Sequence, residues 1–310
     1  MEFNHIPVLL DEVLEYLNCK EDGIYVDCTL GGAGHSKEIV KQLDSGKLVG
    51  IDQDKAAIEA AWEKLSDYSD KVELVRANYQ ELNQVLDQLG IDKVDGFLFD
   101  LGVSSYQLDN PSRGFSYRYE APLDMRMDQR QNKTAADIVN DYSKSELTKI
   151  IRKYGEEKWA NRIAEFIVDY RKQERIKTTT ELVKIIKDAI PAPARRKGPH
   201  PAKRTFQAIR IAVNNELEIV EEAIQDAIER LNPKGRICVI SFHSLEDKIV
   251  KHNFKELAID CICPPKLPIC GCDKEAKVKV ITKSAISPTK EEISQNRRAR
   301  SSKLRVAEKI

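Results

Sequence analysis

Over the first third of the chain, short apolar runs alternate with stretches in which apolar positions recur at helical spacing. Residues 11–17 read as a helix, and Ile24-Tyr25-Val26 as a first strand closed by Asp27. After a glycine-rich turn, a helix is expected over 36–43 and a second strand over 48–51, closed by Asp52. Asp54 is placed to cap the next helix, in which Ile58, Ala61, Trp62 and Leu65 share a face. Residues 72–75 give a third strand, and Leu82, Val85, Leu86 and Leu89 mark a further amphipathic helix. A fourth strand over 94–99 ends in Asp100. Strands and helices alternating in this way predict an α/β fold with a doubly wound, Rossmann-like parallel sheet.

The alternation stops there. Between 110 and 202 no strand pattern is found, and 135–139, 145–154, 159–171 and 180–189 read as helices, with Thr134, Ser143 and Thr179 as caps. The proline-rich stretch 191–201 breaks helical structure. One long helix is expected over 205–231, stopped by Asn232-Pro233-Lys234-Gly235. A strand at 236–241, a helix at 245–257 and β-like runs at 278–282 and 304–307 complete the chain. The expected organisation is a discontinuous sheet domain, 1–108 and 203–310, with a helical domain, 109–202, inserted into it. Open α/β sheets bind ligands beyond the carboxyl ends of their strands. An insert leaving that edge is placed to hold a substrate over a cofactor.

The turn Leu30-Gly31-Gly32-Ala33-Gly34-His35 follows the first strand, and Asp52 closes the second strand eighteen residues past Gly34. Glycines let backbone pass close to a ligand, and a later carboxylate reaches ribose hydroxyls. A dinucleotide site wants a third glycine, where a helix start receives pyrophosphate. Here Gly32-Ala33-Gly34 continues as His35-Ser36-Lys37. S-adenosylmethionine carries no pyrophosphate and fits better: Asp52 for its ribose, Asn78-Tyr79 for its adenine, and Asp100 beside its methyl group. Each residue also has a structural reading. Asp27 and Asp52 fit helix-capping acids, Tyr79 wall packing, Asp100 a turn former, and His35 a loop anchor bonded to backbone.

Composition narrows the class. Across 310 residues, 41% are hydrophobic and 32% charged, as in a soluble globular protein, and no apolar run approaches membrane-spanning length. Without a signal-like start and with an odd count of seven cysteines, a reduced, cytoplasmic location is expected. Fifty basic and fifty acidic residues cancel, but their distribution does not. Six basic residues and no acid lie in 191–215 (Arg195, Arg196, Lys197, Lys203, Arg204, Arg210). Five more lie in 294–305 (Arg297, Arg298, Arg300, Lys303, Arg305). Such patches suit a phosphate backbone, or are simply solvated loops. Cys261-Ile262-Cys263 and Cys270-Gly271-Cys272 offer four sulfurs, but Cys-x-Cys is a tighter bite than structural zinc favours, so reduced thiols and no metal are expected.

Several longer blocks carry a resemblance. They are Val26-Asp27-Cys28-Thr29-Leu30-Gly31-Gly32-Ala33-Gly34-His35-Ser36, Asp100-Leu101-Gly102-Val103-Ser104-Ser105-Tyr106-Gln107-Leu108-Asp109, and Arg113-Gly114-Phe115-Ser116-Tyr117. Pro122-Leu123-Asp124-Met125-Arg126-Met127-Asp128, Lys203-Arg204-Thr205-Phe206-Gln207-Ala208-Ile209-Arg210-Ile211, Ser241-Phe242-His243-Ser244-Leu245-Glu246-Asp247 and Asn296-Arg297-Arg298-Ala299-Arg300-Ser301 follow in order. Together they resemble the MraW (RsmH) family of bacterial 16S ribosomal RNA (cytosine-N4)-methyltransferases over nearly the whole chain. The resemblance implies a class I methyltransferase sheet. It also implies methyl transfer from S-adenosylmethionine to the exocyclic amine of a cytidine in the decoding region of 16S rRNA. Carried over by position, it implies cofactor contacts at Ala33, Gly34, His35, Asp52, Tyr79, Asp100 and Gln107, the last supplied by the resemblance alone. Two departures from general methyltransferase patterns stand out. Thr29 occupies the first glycine position of the turn, and Asp100-Leu101-Gly102-Val103 replaces an Asn/Asp-Pro-Pro-aromatic motif.

A target base must be unstacked and held, usually by aromatic and basic groups. Phe115, Tyr117 and Phe206, with Arg113, Arg118, Lys203 and Arg204, are the candidates, alongside His243 at the same sheet edge and Arg297 and Arg298 for phosphates; ordinary helix and loop packing, and a structural role for His243, are the alternative readings. The expected partner is 16S rRNA within the small ribosomal subunit; a homodimer is compatible with the sequence, and no membrane partner is expected. The rival readings are a nicotinamide-dependent oxidoreductase and a ribosome-assembly factor that binds RNA without modifying it.

Overall fold

The structure is a computed structural model and describes residues 6–196, 198–263 and 271–310. Its sheet has seven strands: β1 (Ile24–Asp27), β2 (Lys47–Asp52), β3 (Val72–Arg76), β4 (Val94–Asp100), β5 (Leu231–Ser241), β6 (Val278–Val280) and β7 (Lys303–Lys309). Their order is β3-β2-β1-β4-β5-β7-β6. The first five pair in parallel, and β7 runs antiparallel to both neighbours. The order reverses beside β1, so the carboxyl ends of β1 and β4 flank the switch point where such sheets open a crevice.

Helices α1 (Leu10–Leu17), α2 (Gly34–Val40), α3 (Lys55–Leu65) and α4 (Leu82–Gln88) belong to the parallel half. The strand interiors are near-continuously apolar because both faces are covered. One face packs Val26, Val49, Ile51, Phe97 and Phe99 with Ala223, Ile224 and Ile228. The other packs Tyr25, Leu48, Leu98, Cys238 and Ile240 with Val13, Leu17, Ile39 and Leu65. Asp54 caps α3 as expected, accepting the Ala56 N–H. The helix after the glycine turn starts earlier than expected, at Gly34, so the turn runs directly into it.

The helical portion comprises α5 (Ser105–Asp109), α6 (Ala135–Asp141), α7 (Lys144–Gly155), α8 (Ala160–Arg171), α9 (Thr179–Ala189), α10 (Ala192–Arg195) and α11 (Lys203–Asn214). Thr134 and Ser143 form capping boxes as expected. Thr178, rather than Thr179, caps α9, because its hydroxyl reaches the Glu181 N–H. The long helix expected over 205–231 is two: α11 ends at Asn215, which adopts a left-handed conformation (φ 51°), and α12 (Glu216–Glu229) follows. Periodicity cannot see this break, since asparagine tolerates both conformations. Likewise Asn232-Pro233-Lys234-Gly235 lies inside β5 as an irregularity: pairing with β4 jumps from Val94↔Leu231 to Gly96↔Arg236.

Two compact units result, residues 1–102 with 217–310, and residues 103–216. The second is wider than the expected 109–202 segment, because Phe206, Ile209 and Val213 of α11 join Leu147, Ile151, Ile163 and Ile186 in its core. The last two helices are α13 (Ser244–Leu257) and α14 (Lys290–Gln295). Among the described residues, no helix is long and apolar enough to cross a membrane.

Candidate active site

Parallel pairing brings the acids that end β1, β2 and β4 to one sheet edge, and each meets a different environment. Asp27 accepts the Ser36 hydroxyl at 2.7 Å on one oxygen and the Thr29 N–H at 3.1 Å on the other. It therefore ties the end of β1 to the first turn of α2. Burial pushes its carboxyl up to about 6 despite both bonds.

Asp52 accepts the Gly31 N–H at 2.9 Å on one oxygen and the Asp54 N–H at 2.8 Å on the other. Each oxygen keeps a lone pair, so the carboxylate is held in place yet can still accept two hydroxyls. Burial is again the main cause of a rise to about 6, with the charges of Asp54 and Asp27 adding to it. The turn it supports is conformationally special. Gly31 (φ 50°) and Ala33 (φ 51°) are both left-handed, which costs a residue with a Cβ about 1–2 kcal/mol. At Gly34 an added Cβ would stand 2.6 Å from Pro7 Cγ, so only glycine fits there without displacing the ring.

Asp100 receives its own backbone support from Thr29, whose hydroxyl oxygen accepts the Asp100 N–H. Thr29, which the glycine pattern treats as a departure, is thus the brace joining the β1 turn to the tip of β4. One Asp100 oxygen, Oδ1, is inaccessible to water and has no hydrogen-bond partner, while Oδ2 lies 3.8 Å from His35 Nδ1. Desolvation, reinforced by the charges of Asp27 and Glu246, raises this carboxyl well above its usual range. Three acids gathered with so little neutralising charge form a site that favours a cation.

His35 is buried, and its Nε2 donates to the Val8 carbonyl at 2.9 Å, the loop-anchoring role considered for it. Tyr79 sits half-buried just after β3, edge-on to Phe99 with centroids 5.8 Å apart. Its ring is fixed in place, while the Asn78 side chain bonds Gln53 at 2.8 Å. These residues, with Ala33, Gly34, Asp52 and Asp100, lie in one compact unit. Gln107 lies in the other, buried, where its side-chain oxygen accepts the Ser104 N–H in a capping box.

The base-holding candidates divide. Arg113 is buried and spends its guanidinium on the Arg126 and Met127 carbonyls (2.8 and 3.1 Å), and Phe115 and Phe206 are core residues. These three pack within the helical unit, the structural alternative open to them beside RNA contact. Tyr117 is part-buried and stacks on His200, centroids 4.6 Å apart. His243 caps α13, with Nδ1 accepting the Glu246 N–H and Nε2 3.1 Å from Glu246 Oε1. That is the structural role open to His243 beside contact with substrate or cofactor.

The basic patches shrink in the same way. Arg210 is held bidentately by Glu216, and Lys303 and Arg305 are paired with Asp247. Lys203, Arg204, Arg297, Arg298 and Arg300 remain exposed. Charge sums alone had missed a further feature on α7. There Lys144, Lys149, Arg152 and Lys153 line a hollow of about 840 Å³.

A seven-stranded sheet in this order, with the last strand of the chain reversed, a glycine turn after β1 and acids ending β1, β2 and β4, defines an S-adenosylmethionine-dependent methyltransferase. The chain belongs to the MraW methylase family, which matches residues 2–310. It is 60% identical to ribosomal RNA small subunit methyltransferase H of Clostridioides difficile (strain 630), over the whole of both chains. Proteins of the same name from Clostridium botulinum (strain Kyoto / Type A2) and Finegoldia magna (strain ATCC 29328) are 59% and 55% identical, again over full length. The nicotinamide reading is not favoured.

The raised carboxyls give the site a pH signature. Between about pH 4 and pH 6 the folded protein holds protons on Asp27 and Asp52 that the unfolded chain has released, so free-protein stability falls as pH rises through that window. A cationic ligand prefers the ionised carboxylates, so its affinity runs the other way. S-adenosylmethionine should bind about tenfold more tightly at about pH 7.5 than at about pH 5, levelling off above the carboxyl pKa. Titration calorimetry at constant ionic strength measures this, and a flat profile would remove the carboxylates from cofactor recognition.

Proposed function

We propose that this protein methylates the exocyclic N4 amine of a cytidine in the decoding region of 16S rRNA, acting in the cytoplasm on RNA within the small ribosomal subunit. The observation that carries the reading is the under-neutralised carboxylate of Asp100 at the switch point, in a chain 55–60% identical over its length to enzymes named for that RNA. The residues fit the cofactor. Asp52 has lone pairs for a ribose, Tyr79 a fixed ring for adenine, and Ala33 and Gly34 close backbone. We also assign Gln107 to cofactor contact by its family position, and the units 1–102 with 217–310 and 103–216 to methyl transfer and RNA recognition, respectively.

When bound, S-adenosylmethionine supplies an electrophilic methyl group on a sulfonium. What remains for the protein is chiefly orientation. A cytosine amine is a poor nucleophile, since its lone pair is delocalised into the ring. Accepting a hydrogen bond from that amine favours the pyramidal, reactive geometry. The Asp100 carboxylate takes this role, held by Thr29 from behind and kept from full solvation by burial. Alignment of the reacting atoms is worth up to about 7–11 kcal/mol. The product ammonium is acidic enough to lose its proton to water, so a separate base is unnecessary.

For RNA we assign the exposed Lys203, Arg204, Arg297 and Arg298 to phosphates, with the α7 hollow as a second basic surface. The double charge reversal Arg297→Glu/Arg298→Glu should reduce the slope of log affinity against log salt by roughly 1.5, since each lost phosphate contact removes about 0.7–0.9 of counterion release. Filter binding across a salt series reads this, and an unaltered slope takes the patch out of the footprint.

The test of the function itself is methyl transfer from labelled S-adenosylmethionine to small subunits and to naked 16S rRNA, with nucleoside mass spectrometry of the product. N4-methylated cytidine is expected. A methyl group on any other atom, or RNA binding with no transfer, would overturn the reading in favour of a different modification or an assembly factor.

A further inference from the structure

The loop between α13 and β6 is closed at its neck by the Lys277 N–H bonding the Leu257 carbonyl at 2.8 Å. None of its described residues is buried, and Ile262 is 66% exposed. Among the described residues, apolar packing does not hold this loop together. Three sulfurs nevertheless converge within it: those of Cys261, Cys263 and Cys272 all lie within 4.8 Å of one another, with Cys261 and Cys272 3.8 Å apart. Three backbone N–H groups point at them. Cys263 donates to Cys261 at 3.4 Å, Ile262 to Cys272 at 3.4 Å, and Gly271 to Cys263 at 3.3 Å.

We propose that Cys261, Cys263 and Cys272 bind a structural zinc ion that staples this loop. Four ligands around zinc at about 2.3 Å place sulfurs about 3.8 Å apart, the separation seen between Cys261 and Cys272. The backbone donors stabilise thiolates, the form in which cysteine binds a metal. Three sulfur donors select zinc over magnesium or calcium. A disulfide would join only two of the three sulfurs, whereas a metal ion takes all three. The tight Cys-x-Cys bite is met by the turn itself, which folds the Cys263 N–H back onto Cys261. Cys270, the remaining cysteine of the pattern, lies outside the described residues.

The topology sets this loop apart from the chemistry. β5 ends at the edge that carries Asp100, α13 returns from it, and the loop precedes the start of β6 at the opposite edge. Zinc here is a structural staple and takes no part in methyl transfer.

The test is elemental analysis of the full-length protein, purified under reducing conditions without chelator. About one zinc per chain is expected, falling about tenfold or more in Cys261→Ser/Cys272→Ser. Should that variant not fold, the wild-type protein stripped of metal and titrated with cobalt(II) gives the second readout. Thiolate-to-cobalt charge-transfer bands and the visible bands of a tetrahedral centre are expected. Background zinc together with no such bands would overturn the proposal. So would an intact mass that shows a Cys261–Cys272 disulfide in the freshly isolated protein.

Discussion

Asp100→Asn is expected to lower kcat by about 10²–10³-fold while moving the cofactor Kd less than about threefold, the scale seen when one preorganised polar group is removed from a reacting centre. The substitution keeps the shape and the Thr29 brace but removes the negative charge that orients the target amine. Single-turnover methylation of small subunits and equilibrium cofactor binding, measured on the same preparation, separate the two quantities. Parallel losses in both would make Asp100 a cofactor ligand and point instead to a backbone carbonyl at the end of β4, that of Leu101 or Gly102, as the acceptor. Thr29→Val offers an internal control: it removes only the brace, so it should reduce kcat in the same direction by a smaller factor.

Asp52→Ala should act on binding instead. Hydrogen bonds to a charged group are worth about 1.5–3 kcal/mol each, so losing the ribose acceptor should weaken cofactor affinity by about 10²-fold. The Gly31 and Asp54 N–H groups also lose their acceptor, so the Tm of the free protein should fall too. Asp52→Asn, which keeps one side-chain oxygen, should recover part of the stability but little of the affinity. If Asp52→Ala bound cofactor normally, the acid would be a turn support alone, the capping role that its sequence position also allowed.

The sheet half of this fold was legible because each local signal agreed with the next: apolar runs, turn glycines and strand-ending acids repeat in step through Asp100. Where two conformations share one pattern, reading the chain failed. Asn215 permits either a continued helix or a break, and the irregularity at 232–235 has the composition of a helix stop.

The glycine turn and the strand-ending acids around it were equally readable, since close backbone approach demands small residues at fixed spacing. Its supports were not. Thr29 looked like a lapse in a glycine motif, and Glu246, buried beneath the α13 start and adding to the field on Asp100, carried no pattern of its own.

The substrate side was least legible. An arginine that serves two carbonyls and one that meets a phosphate have the same letter, and so have a stacking ring and a core ring. Arg113, Phe115 and Phe206 illustrate both. Cysteine spacing alone argued against a metal, whereas the fold brings three sulfurs together, and the zinc proposal is drawn from that convergence.

We place the methyl donor at the carboxyl edge of β1, β2 and β4. A crystal structure of the protein with S-adenosylhomocysteine tests this placement most directly. The account predicts ribose hydroxyls within about 3 Å of Asp52, adenine against Tyr79, and the sulfur on the Asp100 side of the turn. Ligand bound at another face, or at this edge with Asp52 facing away, would contradict it.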